Sequence, residues 1–166
     1  MTGRLVLVVA LSSHLGAAAL AGPPAGQAKA AFERLVKLDG TWKSQGKEEA
    51  VYVTWRVIAG GSAVLETVSN ADKTKVTSAT IYSVEGDELV ASHFGDGAAA
   101  HPRLLLKAQD AAKLRFEVAD APKVAHVASL QLVSKGEDVV TVEWSQAGGK
   151  GRRAVELKRE YLDTLK

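Results

Sequence analysis

The 166-residue chain has no cysteine. That absence excludes disulfides, thiolate metal sites, iron–sulfur clusters, a cysteine nucleophile and a cysteine-linked lipid anchor. Neither sign of charge dominates: 21 Lys and Arg stand against 19 Asp and Glu, so no phosphate-binding surface for nucleic acid is expected. Proline is scarce, with 4 residues beside 15 Gly, which excludes collagen-like and disordered chains. Aromatics make up 5% of the chain, so the few large rings belong to the core or to a cavity wall. The G-x-S-x-G, P-loop, G-x-G-x-x-G and H-E-x-x-H patterns are all missing, and no catalytic residue is assigned. No metal or other cofactor is expected. At 46% hydrophobic and 24% charged, the composition is that of one folded soluble domain.

Arg4 precedes the apolar run Leu5-Val6-Leu7-Val8-Val9-Ala10-Leu11, and Ala19-Leu20-Ala21 gives a small-x-small cleavage pattern before Gly22. Residues 1–21 read as a secretory signal, because Ser12, Ser13 and His14 interrupt the run far short of the roughly 20 apolar residues of a membrane span. The mature protein is expected in the periplasm or the medium, without a stable membrane anchor. Residues 22–27 form a linker, and residues 28–166 one domain.

After the linker, Ala28, Ala31, Phe32, Leu35 and Val36 recur at helical spacing, and this amphipathic helix ends near Asp39-Gly40. From Thr41 the period becomes two. Strands are expected at 41–46, 50–58, 62–69, 75–84, 88–94, 103–108, 113–119, 126–133, 138–146 and 153–161. Turn residues such as Gly60-Gly61, Glu85-Gly86-Asp87 and Lys135-Gly136 separate the runs, which makes consecutive strands antiparallel neighbours. An all-β, up-and-down meander of about ten strands removes its edges by closing into a barrel, with the short helix capping one end.

Leu38-Asp39-Gly40-Thr41-Trp42, a Gly-x-Trp entering the first strand after a short helix, resembles the start of lipocalins and fatty-acid-binding proteins, the calycin group. Gly60-Gly61-Ser62-Ala63-Val64-Leu65-Glu66-Thr67, Tyr82-Ser83-Val84-Glu85-Gly86-Asp87-Glu88-Leu89 and Ser92-His93-Phe94 are similar in order and spacing to elements of bacterial lipocalin-like proteins, distant relatives of nitrobindin-type barrels. The resemblance covers residues 32–161 and implies a ten-stranded calycin barrel. Ala100-His101-Pro102-Arg103 departs from the Asn-Gln-Pro-Arg of that group. No histidine follows His126, so haem held by the nitrobindin-type ligand is not expected.

Several side chains are candidates for a binding site. Arg159 and Tyr161 share a face with Val155 and Leu157. The pair reads either as an anion clamp, similar to the Arg-x-Tyr of fatty-acid-binding proteins, or as a closure in which Arg159 stacks on Trp42. His93, His101 and Arg103 flank the loop of residues 95–100, where binding groups often sit. An inward His93 would be a hydrogen-bond partner for a ligand, and His126 a core histidine. Glu66 shares parity with Val64 and Val68 while Leu65 lies opposite, so its direction stays open; buried, it needs a cation or donor, with Arg103 or Arg159 available. Trp55, Trp144, Phe116 and Leu130 would meet the apolar body of a ligand. The expected function is to hold a small, largely apolar ligand inside the barrel, an acid on the anion-clamp reading. The alternatives are a barrel filled by its own side chains and working through its surface and, ranked below it, an enzyme that carries none of the motifs above.

Overall fold

A computed structural model describes residues 26–46, 49–95, 101–119, 127–146 and 151–161. The signal segment, most of the linker, the loop at 96–100 and His126 lie outside the described residues. One helix, α1 (Gln27–Val36), precedes ten strands: β1 (Gly40–Ser44), β2 (Tyr52–Ile58), β3 (Ala63–Ser69), β4 (Val76–Glu85), β5 (Glu88–Gly95), β6 (Arg103–Gln109), β7 (Lys113–Val118), β8 (Ser129–Ser134), β9 (Val139–Ser145) and β10 (Arg152–Glu160). Each strand pairs antiparallel with the next, and β1 also pairs with β10 through Trp42 opposite Arg159, so the meander closes. Closure leaves no unpaired strand edge, the hazard of an open β-sheet. The expected architecture is thus the observed one. Among the described residues no helix is long and apolar enough to cross a membrane.

Alternation explains which side chains face inward. Leu114 and Phe116 on β7, Leu130 and Leu132 on β8, and Val140 and Val142 on β9 are buried, whereas Arg115 between the first pair is exposed. Two register shifts, at Val68/Ser69 and at Leu106/Ala108, break the period locally.

The helix closes one end. Its buried stripe of Ala28, Ala31 and Leu35 packs on the core, and Arg34 donates to the carbonyls of Asp110 (2.6 Å) and Lys113 (3.2 Å) in the β6–β7 turn. At about ten residues the helix is marginal alone, so this docking stabilises it. Its C-terminal side is held by β10. The Arg159 guanidinium lies 4.4 Å from the Trp42 ring centre and donates to Asp39 O (2.7 Å) and Lys37 O (2.8 Å). Trp42 in turn donates its indole N–H to Leu38 O at 2.9 Å. Gly40 has φ +132°, and a Cβ there would stand 3.1 Å from the guanidinium. The glycine of Gly-x-Trp therefore supplies both an otherwise strained backbone and room for the arginine.

Replacing Arg159 with glutamine removes the cation–π contact and the charge-assisted bonds to the carbonyls after α1, an expected loss of about 1–3 kcal/mol. Urea unfolding monitored by circular dichroism measures it. A variant as stable as the parent would show that the closure is idle.

Around these contacts the helix half of the barrel is filled. Trp42 meets Trp55 edge-to-face at 5.7 Å between ring centres, Tyr82 packs against Phe116 at 5.6 Å, and Leu89 and Leu157 are fully buried beside them. The other half is not filled.

Candidate functional site

At the end away from α1 the barrel opens into a cavity of about 500 Å³. Val51 before β2, Val68 on β3, Trp144 on β9, Val155 on β10 and Val127 before β8 form its apolar wall. Ser78 on β4, His93 on β5, Arg153 on β10, and Glu49 and Asn70 in the open-end loops add polar groups. Apolar walls with a few convergent polar groups characterise small-molecule sites.

Below the cavity a single rung of inward residues crosses four strands. Trp55 stands opposite Glu66, Glu66 opposite Thr80, and Thr80 opposite His93. Glu66 is 1% exposed, which settles its direction: it points inward with Val64, and Leu65 points out. Its Oε2 accepts from Tyr82 Oη at 2.7 Å and from Trp55 Nε1 at 3.1 Å. Among the described residues Oε1 has no hydrogen-bond partner. Of the cation or donor that a buried carboxyl needs, the barrel supplies donors, from Trp55 on β2 and Tyr82 on β4, and neither Arg103 nor Arg159 is the partner. Burial pushes Glu66 up to about 7, against the pull of the Tyr82 and Trp55 hydrogen bonds. Burial also raises the Tyr82 phenol well above its usual value, and the Glu66 carboxyl adds to this.

His93 is half-buried in the cavity wall. Its Nδ1 is 3.0 Å from Thr80 Oγ1. Burial, then the nearby His101, lowers it from the ordinary imidazole value, so it is neutral above the usual imidazole range.

The other sequence candidates divide by level. Trp144 lines the cavity with His93. Trp55, Phe116 and Leu130 are buried in the filled part of the core. Arg103 lies on the outer face, exposed, with its guanidinium 2.7 Å from Glu85; His101 is also exposed and stacks near Phe94, ring centres 4.8 Å apart. Arg159 is at the helix end, and Tyr161, 66% exposed, donates to Asp138 there. The Arg159 and Tyr161 side chains are therefore engaged at the closed end, while the cavity opens at the other.

Arg153 is a cavity residue that the sequence reading passed over. It is exposed at the mouth and pairs across the ladder with Trp144. The signal was present: Arg153 is two residues before Val155, on the same face of the last strand. Among the described residues no group of three or more His, Asp or Glu is placed to hold a metal ion.

No family model and no curated protein matches the chain. The closed ten-stranded antiparallel barrel is consistent with a calycin or lipocalin-like fold, and such a barrel is compatible with ligand binding.

Proposed function

We propose that this is an exported carrier or sensor barrel of the lipocalin-like kind, holding a small, largely apolar ligand in the open half of the barrel. The observation that carries the reading is a half-filled interior. Buried side chains pack the helix end, yet about 500 Å³ is left between Trp144, Val155, Val68 and His93. A core that needed only stability would pack to the density of an organic crystal throughout. Burial of a ligand's apolar body against Trp144 and the valines supplies binding energy, and the polar groups fix its orientation. The signal-like segment of residues 1–21 supports export to the periplasm or the medium.

The test is a native mass spectrum of the chain purified from the exported fraction without refolding, beside a denatured spectrum. The expected results are an N-terminus at Gly22 and either a retained small molecule or titratable binding of anilinonaphthalene sulfonate. Binding should change Trp144 emission, and Trp144→Phe should abolish that change. A full-length chain with Met1 intact would refute export. No bound molecule, no dye uptake and unchanged emission would refute the binding function.

A further inference from the structure

The polar groups of the cavity are ordered by depth and by side. In the closed strand order β1-β10-β9-β8-β7-β6-β5-β4-β3-β2, β5 and β10 are five steps apart around a ring of ten. His93 and Arg153 therefore stand on opposite walls. Arg153 is exposed at the mouth, and His93 is half-buried. Trp144, opposite Arg153 in the ladder, and Val155, two residues further along β10, line the cavity beside Arg153, and Val68 lines it from β3; an indole and two valines suit a ring or a short chain.

The two polar walls differ in what they can receive. A guanidinium has five N–H donors in a planar fork that matches a carboxylate, so it serves a ligand as well as its neighbours; Glu49 lies at the same rim. His93 has Nδ1 occupied by Thr80 Oγ1, which leaves Nε2 for a ligand's hydrogen bond. Next in the rung after Thr80 comes Glu66, whose Oε1 is buried without a partner among the described residues. An anion driven to the floor would meet that carboxyl group with no cation beside it, an unfavourable arrangement in a low-dielectric interior.

We propose that the cavity takes an amphipathic carboxylate, head outward: the anion on Arg153 at the mouth, the apolar body against Trp144 and Val155, and a hydroxyl or similar hydrogen-bonding group at the inner end on His93. The assignment rests on the ligand-binding reading and deepens it. It moves the anion site from the last residues of β10 to its first ones.

Three isosteric probes test it on the mature chain: a hydroxynaphthoate with its two polar groups at opposite ends of the rings, the naphthoate without the hydroxyl, and the hydroxynaphthamide without the charge. Affinities come from titration calorimetry. The hydroxynaphthoate should bind tightest, and loss of either group should weaken binding about tenfold or more, as for a charge-assisted or well-buried hydrogen bond. The penalty for losing the charge should vanish in Arg153→Gln and persist in Arg159→Gln. The penalty for losing the hydroxyl should vanish in His93→Phe, and Thr80→Val, which frees the ring but keeps it, should reduce the penalty. Equal affinities for the three probes, or a charge penalty that disappears with Arg159 instead, would overturn the assignment and leave ligand binding intact. Failure of these probes together with failure of anilinonaphthalene sulfonate to enter the cavity would overturn the ligand-binding reading as well.

Discussion

Trp55→Ala is expected to cost about 4 kcal/mol, near the middle of the range for removing a buried aromatic and close to the whole stability of a small domain. Trp55 is fully buried. Its ring stands edge-on to Trp42, with an interplanar angle of 86°, and Trp42 carries the Arg159 closure, so the hole opens beneath the contact that fastens the helix end. The substitution also takes one of the two donors from Glu66 Oε2, and a buried carboxyl that loses a donor adds its own desolvation cost. Trp55→Phe keeps most of the volume but not the N–H, and should cost about 1–2 kcal/mol. Val57→Ala, two residues along the strand and 37% exposed, is the comparison and should stay within about 0.5 kcal/mol of the parent. Urea unfolding followed by far-ultraviolet circular dichroism ranks the three. A Trp55→Ala protein within about 1 kcal/mol of the parent would mean that the rung is not close-packed.

That ranking bears on what a pattern of residues can and cannot disclose. Alternation in Leu114-Arg115-Phe116-Glu117-Val118 identifies a strand with one buried face, and the observed β7 buries Leu114 and Phe116 while leaving Arg115 exposed. Ten such runs, each ended by turn residues, are enough for a meander, and a meander of that size closes. The Gly-x-Trp run was legible for the same local reason, since a preceding helix end, a glycine and an indole impose their own geometry. Level along the barrel was less legible. Arg103, Arg153 and Arg159 all lie in strands near Pro, Gly or the chain end, but one pairs with Glu85 outside, one lines the mouth and one closes the helix end. Side-chain parity assigns a face and says nothing of height above the floor. Height follows from strand tilt and register, which depend on all ten pairings at once. The bulges at Val68/Ser69 and Leu106/Ala108 add a second loss, because each resets the parity of the residues beyond it.

Glu66 shows the same limit in chemical form. Its neighbours Leu65 and Val64 are both apolar, so nothing adjacent in sequence distinguishes inside from outside. Trp55 and Tyr82 lie 11 and 16 residues away, and only the register brings them to its Oε2. The expectation of a cation or a donor followed from the cost of burying a charge. The barrel supplies donors, two hydrogen bonds to one oxygen, and burial favours the neutral acid. The raised value of the carboxyl has a measurable pH signature.

The contribution of Glu66 to stability is expected to fall as pH rises from about 4.5 to about 7. Its folded value stands near 7, against 4.5 for the ordinary carboxyl, so between those values the folded protein binds more protons than the unfolded chain. The slope of unfolding free energy with pH is then negative. The stabilising contribution of the neutral acid is complete below about 4.5, declines as pH rises and is gone above about 7, a total on the order of 3 kcal/mol. His93 acts in the opposite sense. Its folded value is below 6.5, so it charges more readily in the unfolded chain, and stability is lost as pH falls below that value. The two contributions overlap, and the raw profile of the parent would hide both. Comparison with Glu66→Gln isolates the first, because His93 is common to the two proteins. Glutamine preserves an oxygen acceptor for Trp55 and Tyr82 and cannot ionise, although its amide hydrogens take the position where Oε1 has no partner. The variant should therefore be no more stable than the parent at about pH 5, and should overtake it by about pH 8, with the difference between the proteins moving by about 3 kcal/mol in the variant's favour. Urea midpoints at half-unit steps across that interval measure the shift. A difference that stays constant with pH would show that Glu66 is ionised or solvated in the native barrel, and that the floor of the cavity carries an ordinary negative charge.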